Sequence, residues 1–132
     1  MLALAAAGSV SATVLHSKIN VDNGFVAYIA TSDTVTGTSF SSGNDWGASF
    51  PGNTKLEAGT DYYLHVYGYD DNAVSYDVAA FLGQFSLSGT DHSFSNNLTT
   101  LLTDSTHWKA NDTGFADPYT AVTTWGTNGA GR

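Results

Sequence analysis

Two acidic turns and one tryptophan carry most of the chemistry this chain can offer. Asp22-Asn23 stands just before a glycine and an apolar run, and Asp70-Asp71-Asn72 closes a tyrosine-rich segment. Calcium is held by carboxylates, side-chain amide oxygens and backbone carbonyls, all of which turns of this composition present. With 12 Asp+Glu against 4 Lys+Arg and a net charge of -8, the chain is well supplied with such ligands. The expected metal set is therefore Asp22, Asn23, Asp70 and Asp71, with calcium as the cofactor. Asp and Asn are also favoured in turns because they hydrogen-bond their own backbone and tolerate left-handed conformations, so each turn taken alone is equally explained by local geometry. The segment Asn20-Val21-Asp22-Asn23-Gly24 lacks the terminal glutamate of an EF-hand loop.

Trp46 lies in Ser42-Gly43-Asn44-Asp45-Trp46-Gly47, where one large ring interrupts an otherwise small and polar loop. A ring exposed in this way can stack on the C–H face of a sugar while planar polar side chains fix the hydroxyls. Trp108 falls on a short apolar stretch and is expected to close the core. Tyr63, His65, Tyr67 and Tyr69 alternate along one strand, a stripe that suits a groove but is more usual as core or inter-sheet packing, with His65 a hydrogen-bonded sheet residue.

Catalysis finds little to work with. Glu57 is the sole glutamate and sits in a turn, so a glycosidase would depend on paired aspartates. The four histidines have no metal-ligand spacing, and a chain without cysteine has neither thiol chemistry nor cysteine-type zinc sites. There is no Gly-x-Ser-x-Gly nucleophile elbow. No enzymatic activity is expected. Nucleic acid is excluded as a partner on charge, since the four basic residues are scattered over a strongly acidic chain.

The elements that must position these residues are strands. Period-two alternation recurs with no sustained helical period, and segments 25–30, 62–69, 78–87, 98–102, 107–110 and 121–125 read as strands separated by turn signals. Residues 31–51 read as a Ser/Thr/Gly-rich loop. An all-β sandwich follows. Residues 1–12 read as the remnant of a signal peptide, with Val10-Ser11-Ala12 as a small-x-small cleavage site. That apolar run is too short to span a bilayer, which takes ~20 residues. Residues 13–125 form the domain, and 126–132 a linker or truncated end. A secreted or cell-surface location is the expectation.

In order along the chain, the Asp22-Asn23 turn before Phe25–Ile29, the Gly43-Asn44-Asp45-Trp46 loop, and the Leu56-Glu57-Ala58-Gly59-Thr60-Asp61 turn before the strand to Tyr69 resemble the galactose-binding-like jelly-roll domains. The resemblance covers residues 17–110 and implies jelly-roll topology. In the noncatalytic modules of bacterial rhamnosidases, which share this pattern, it implies a calcium-assisted carbohydrate site. The sugar contacts would fall on Asp22, Asn23, Trp46 and Asn72, with a glycan or polysaccharide as partner. The chain is also similar to exported bacterial proteins of the PEP-CTERM kind, although the sorting motif itself does not occur in it. A structural or adhesive surface sandwich with no small-molecule site fits the composition equally well.

Overall fold

The computed structural model describes residues 12–70 and 80–122. The protein is all-β, and the described residues form nine strands: β1 (Thr13–Asp22), β2 (Gly24–Ala30), β3 (Thr38–Gly43), β4 (Phe50–Leu56), β5 (Tyr63–Tyr69), β6 (Ala80–Leu87), β7 (Thr100–Leu102), β8 (Lys109–Ala110) and β9 (Thr120–Ala121). A four-stranded sheet in the order β4-β1-β6-β7 faces a three-stranded sheet in the order β3-β2-β5, and β8 and β9 form a small ribbon. Every described pairing is antiparallel. The signal-peptide expectation lies almost wholly outside the described residues, as do Trp125 and residues 126–132. The connection from β5 to β6, on which a jelly-roll path partly depends, runs through residues 71–79, also outside them. Among the described residues, no helix is long and apolar enough to cross a membrane.

Strand β1 organises the sandwich. Its odd-numbered residues Thr13, Leu15, Ser17, Ile19 and Val21 are all buried, while its even-numbered residues point away from the core. Leu15, Ile19, Val21 and Phe85 of the larger sheet meet Phe25 and Ala27 of the smaller one in a single cluster. Burying each such side chain contributes about 1.5–3 kcal/mol relative to leaving it in water. Phe25 and Phe50 meet edge to face across the sheets, with ring centroids 6.0 Å apart. Trp108 closes the core as expected, edge-on to Phe81 at 5.1 Å, with its indole N–H donating to the Leu102 carbonyl at 3.0 Å.

Three features depart from the sequence reading. β1 and β4 are strands where none was assigned, and part of the 31–51 loop is strand β3. The Tyr63, His65, Tyr67, Tyr69 stripe is not inter-sheet packing. The inward residues of β5 are Leu64 and Val66, which pack on the core, together with Gly68, whose added Cβ would lie 3.3 Å from Val21. Gly68 pairs with the buried Phe25 and Val66 with the buried Ala27, and partners across a ladder share a face, so the alternate aromatic residues lie on the outer face, where Tyr63 and Tyr67 are exposed.

Candidate functional site

The Trp46 loop is short and tied down at several points. The Asp45 carboxylate accepts from the Gly47 N–H at 2.9 Å, and the Asp45 carbonyl accepts from the Ala48 N–H at 3.1 Å. From β1, the side-chain amide of Asn20 donates to the carbonyls of both Trp46, at 2.8 Å, and Ala48, at 2.6 Å. The loop backbone is thereby fixed while the indole stays 67% exposed. With the loop backbone held, stacking on a ligand has only the side-chain torsions of the indole left to fix, which lowers the entropy cost of binding.

The acidic turns come to the same end of the sandwich. Asp22 is the last residue of β1, opposite Ala80 of β6, and its side chain shares the outward face of the strand with Asn20. Asn23 alone separates β1 from β2, the Asp22–Asn23 peptide is cis, and the Asn23 N–H donates to the Tyr69 carbonyl at 3.0 Å. Asp70 is the residue after Tyr69, so the hydrogen bond from Asn23 brings the two turns alongside each other. Gly24 is needed here because the Tyr69 ring lies across it, in the space a Cβ would fill. Asp22, Asn23, Trp46 and Asp70 thus share one end. Asp71 and Asn72 lie outside the described residues.

Among the described residues, no three His, Asp or Glu side chains converge as a metal site would require. Asp22, Asn23 and Asp70 supply side-chain oxygens of the kind calcium takes, and Asp71 of the expected set lies outside the described residues.

His65 occupies a different place. It is buried, its Nδ1 donates to the Thr36 carbonyl at 3.2 Å, and its Nε2 lies 3.5 Å from the Asp33 carboxylate. Phe115 stacks on the imidazole with centroids 4.3 Å apart and planes within 6°. Tyr119 adds a hydrogen bond from its hydroxyl to the Asp33 carbonyl at 3.0 Å. Burial first, then the Asp33 charge, pushes the Tyr119 phenol above its usual range. This part of the outer tyrosine face is therefore covered by the chain's own later segment, as befits a hydrogen-bonded sheet histidine.

Asn20 is the residue sequence reasoning missed. Its partners are two backbone carbonyls 26 and 28 positions away, and no motif spacing signals such a pairing. The one available hint is its outward register two residues before Asp22.

No family model, no curated protein and no solved structure matches this chain.

Proposed function

We propose that this protein is a noncatalytic carbohydrate-binding domain of an exported protein, with Trp46 as the stacking platform. The observation that carries this reading is a solvent-exposed indole on a loop whose backbone is held by the double hydrogen bond from Asn20. A large exposed ring costs solubility, and the clamp maintains it in the open position where a pyranose face can meet it. Asp22 and Asn23, on the same end, supply carboxylate and amide groups for sugar hydroxyls, and Asn72 completes the set proposed from the resemblance to galactose-binding-like jelly-roll domains. The small-x-small sequence at Val10-Ser11-Ala12 supports an extracellular location.

A glycan array probed with the wild type and with Trp46→Ala tests the proposal. Retention of a glycan by the wild type and its loss in the variant is the expected result. Equal retention by both would remove Trp46 as the stacking platform, and retention by neither would favour the structural or adhesive sandwich instead. Calcium enters as a separate arm of the same experiment. Binding and thermal midpoint are compared in excess calcium and in EDTA, because a cation held only by the folded state raises the midpoint by mass action.

A further inference from the structure

The charges of this protein are segregated by secondary structure. Among the described residues, every Asp and Glu except Asp22 lies outside the strands, whereas Lys18, Lys55 and Lys109 all lie within them. Antiparallel register then gathers two of those lysines on one surface. Partners across such a ladder share a face. Thr13 with Leu56 and Ile19 with Phe50 point inward, so Lys18 with Pro51, His16 with Asn53 and Val14 with Lys55 point outward. On the other side of β1, Gln84 stands opposite Lys18 and Leu82 opposite Asn20.

The outer face of the four-stranded sheet therefore has a definite layout. Lys55 marks one end, His16 and Asn53 come next, then Lys18 and Gln84, and finally Asn20 with the Trp46 loop it clamps. Lys18, Lys55, His16, Asn53 and Gln84 are all exposed. Neither Lys18 nor Lys55 has an acidic partner among the described residues. The two ammonium groups stand on strand positions about 13 Å apart along the sheet, close to the length of two or three sugar units in an extended polysaccharide.

We propose that this face binds an acidic polysaccharide, a glycan whose repeat carries carboxylate or sulfate groups. The inference rests on the carbohydrate-binding reading and names its ligand class. Lys18 and Lys55 receive the anionic groups, Asn53 and Gln84 reach the hydroxyls between them, and Trp46 stacks on an uncharged sugar face. Asp22 and Asp45, at the Trp46 end, repel an anionic unit there and so set the direction in which the repeat lies. Glu57, exposed two residues beyond Lys55, offsets part of the attraction at that end, while acidic groups farther away than the Debye length, ~8 Å at physiological salt, are largely screened.

The test is affinity electrophoresis and calorimetry of the full chain with polygalacturonate, with a sulfated galactan and with neutral galactan, in low salt and in 0.5 M NaCl. The variants are Lys18→Gln/Lys55→Gln and Trp46→Ala. All three positions are exposed, and far-UV circular dichroism confirms that each variant is folded. The expected result is retention by one or both acidic polymers, weakened by salt and lowered about five- to tenfold in the lysine double variant. The carboxylated and sulfated arms identify which anionic group is taken.

Retention by neutral galactan that Trp46→Ala abolishes and the lysine variant leaves intact would overturn this inference while keeping the carbohydrate-binding reading. Retention by none of the polymers, together with no hit on the glycan array, would overturn both. Salt-sensitive self-association seen by sedimentation, abolished by the lysine variant in the absence of glycan binding, would reassign the face to a second copy of the chain.

Discussion

The side-chain amide of Asn20 donates to the backbone carbonyl of Trp46 at 2.8 Å, and the same nitrogen reaches the carbonyl of Ala48 at 2.6 Å. One amide thus fixes the exposed loop to the central strand of the larger sheet. Asn20→Ala leaves both carbonyls without that donor and is expected to cost about 1–2 kcal/mol in urea unfolding. Asn20→Asp should cost more, because it replaces the donor with an acceptor facing two acceptors. Amide exchange at residues 46–48 should speed up in both variants. A loop that exchanges no faster in Asn20→Ala would show that the clamp is not what holds Trp46 in place.

Among the described residues, Gly24, Gly43 and Gly83 have large rings in the space a Cβ would fill, and variants of the first two should differ in cost. At Gly43 the neighbour is Phe50, whose ring is packed edge to face on the buried Phe25. At Gly24 the neighbour is the outer end of Tyr69, which can swing away at the expense of its 5.8 Å stacking on Tyr67. Gly43→Ala is therefore expected to destabilise by about 2–3 kcal/mol and Gly24→Ala by about 1 kcal/mol. Combining Gly24→Ala with Tyr69→Ala should cost less than the two single effects added together, since the collision is gone in the double variant. Strict additivity would mean that the ring does not rest on Gly24.

How far the sequence discloses this architecture depends on what each strand turns inward. β2 is legible as a strand because both of its faces are fairly apolar over residues 25–30, and β6 because Phe81, Phe85 and Leu87 fall on one face at period two. β1 is obscured because two of its five inward positions, Thr13 and Ser17, carry hydroxyls, which breaks the apolar period. β3 is mostly serine and glycine and exists because its backbone pairs with β2, a contribution invisible in side-chain pattern. The aromatic stripe of β5 is legible as a face but not as an outer one, since that depends on its register against Phe25 and Ala27 of β2. At the candidate site, the loop around Trp46 and the turn at Asp22-Asn23 follow from composition. Their arrival at one end depends on the β1–β2 reversal and on Asn20, which no spacing announces.

The hydroxyls that conceal β1 are also a reservoir of stability. Thr13 Oγ1 and Ser17 Oγ are buried without a hydrogen-bond partner. Removing an unsatisfied buried polar group while keeping shape is neutral to stabilising. Thr13→Val, which preserves both volume and β-branching, is expected to raise stability by about 1 kcal/mol, and Ser17→Ala by somewhat less because a small void remains. A loss of stability in Thr13→Val would mean that its hydroxyl is satisfied in solution.

The acid limb of the stability profile should show Asp104. Its side-chain hydrogen bond with His107, at 2.8 Å, is the largest influence, joined by the N–H groups of His107 and Thr106 donating to the other oxygen, and together these hold its carboxyl below the usual 3.8. A depressed carboxylate contributes stability that is present above its unfolded value and is lost as the pH falls through the folded one. The difference between wild type and Asp104→Asn should thus be positive at pH 6 and shrink below about pH 4. The site is partly exposed, so screening keeps the effect small. A difference that stays constant down to pH 2 would remove the charge from the account.

At the alkaline end the governing group is Tyr119, which anchors the later segment through its 3.0 Å hydrogen bond to the Asp33 carbonyl. Desolvation is the main reason its phenol is pushed above 10.0, with the Asp33 charge and a side-chain hydrogen bond to the same residue adding to it. The folded protein therefore keeps this proton at a pH where the unfolded chain has begun to release it. Stability associated with the group is fully present below the unfolded value and declines as pH rises through the folded one. Measured against Tyr119→Phe, which cannot ionise, the wild type should hold a constant advantage up to about pH 9 and lose it above about pH 10. The loss should coincide with faster amide exchange around Phe115, because the phenolate can no longer donate to Asp33 and the segment stacked on His65 loses one of its ties to the sheet. If the advantage persisted to pH 11, the hydrogen bond would not be what secures this segment over the sheet.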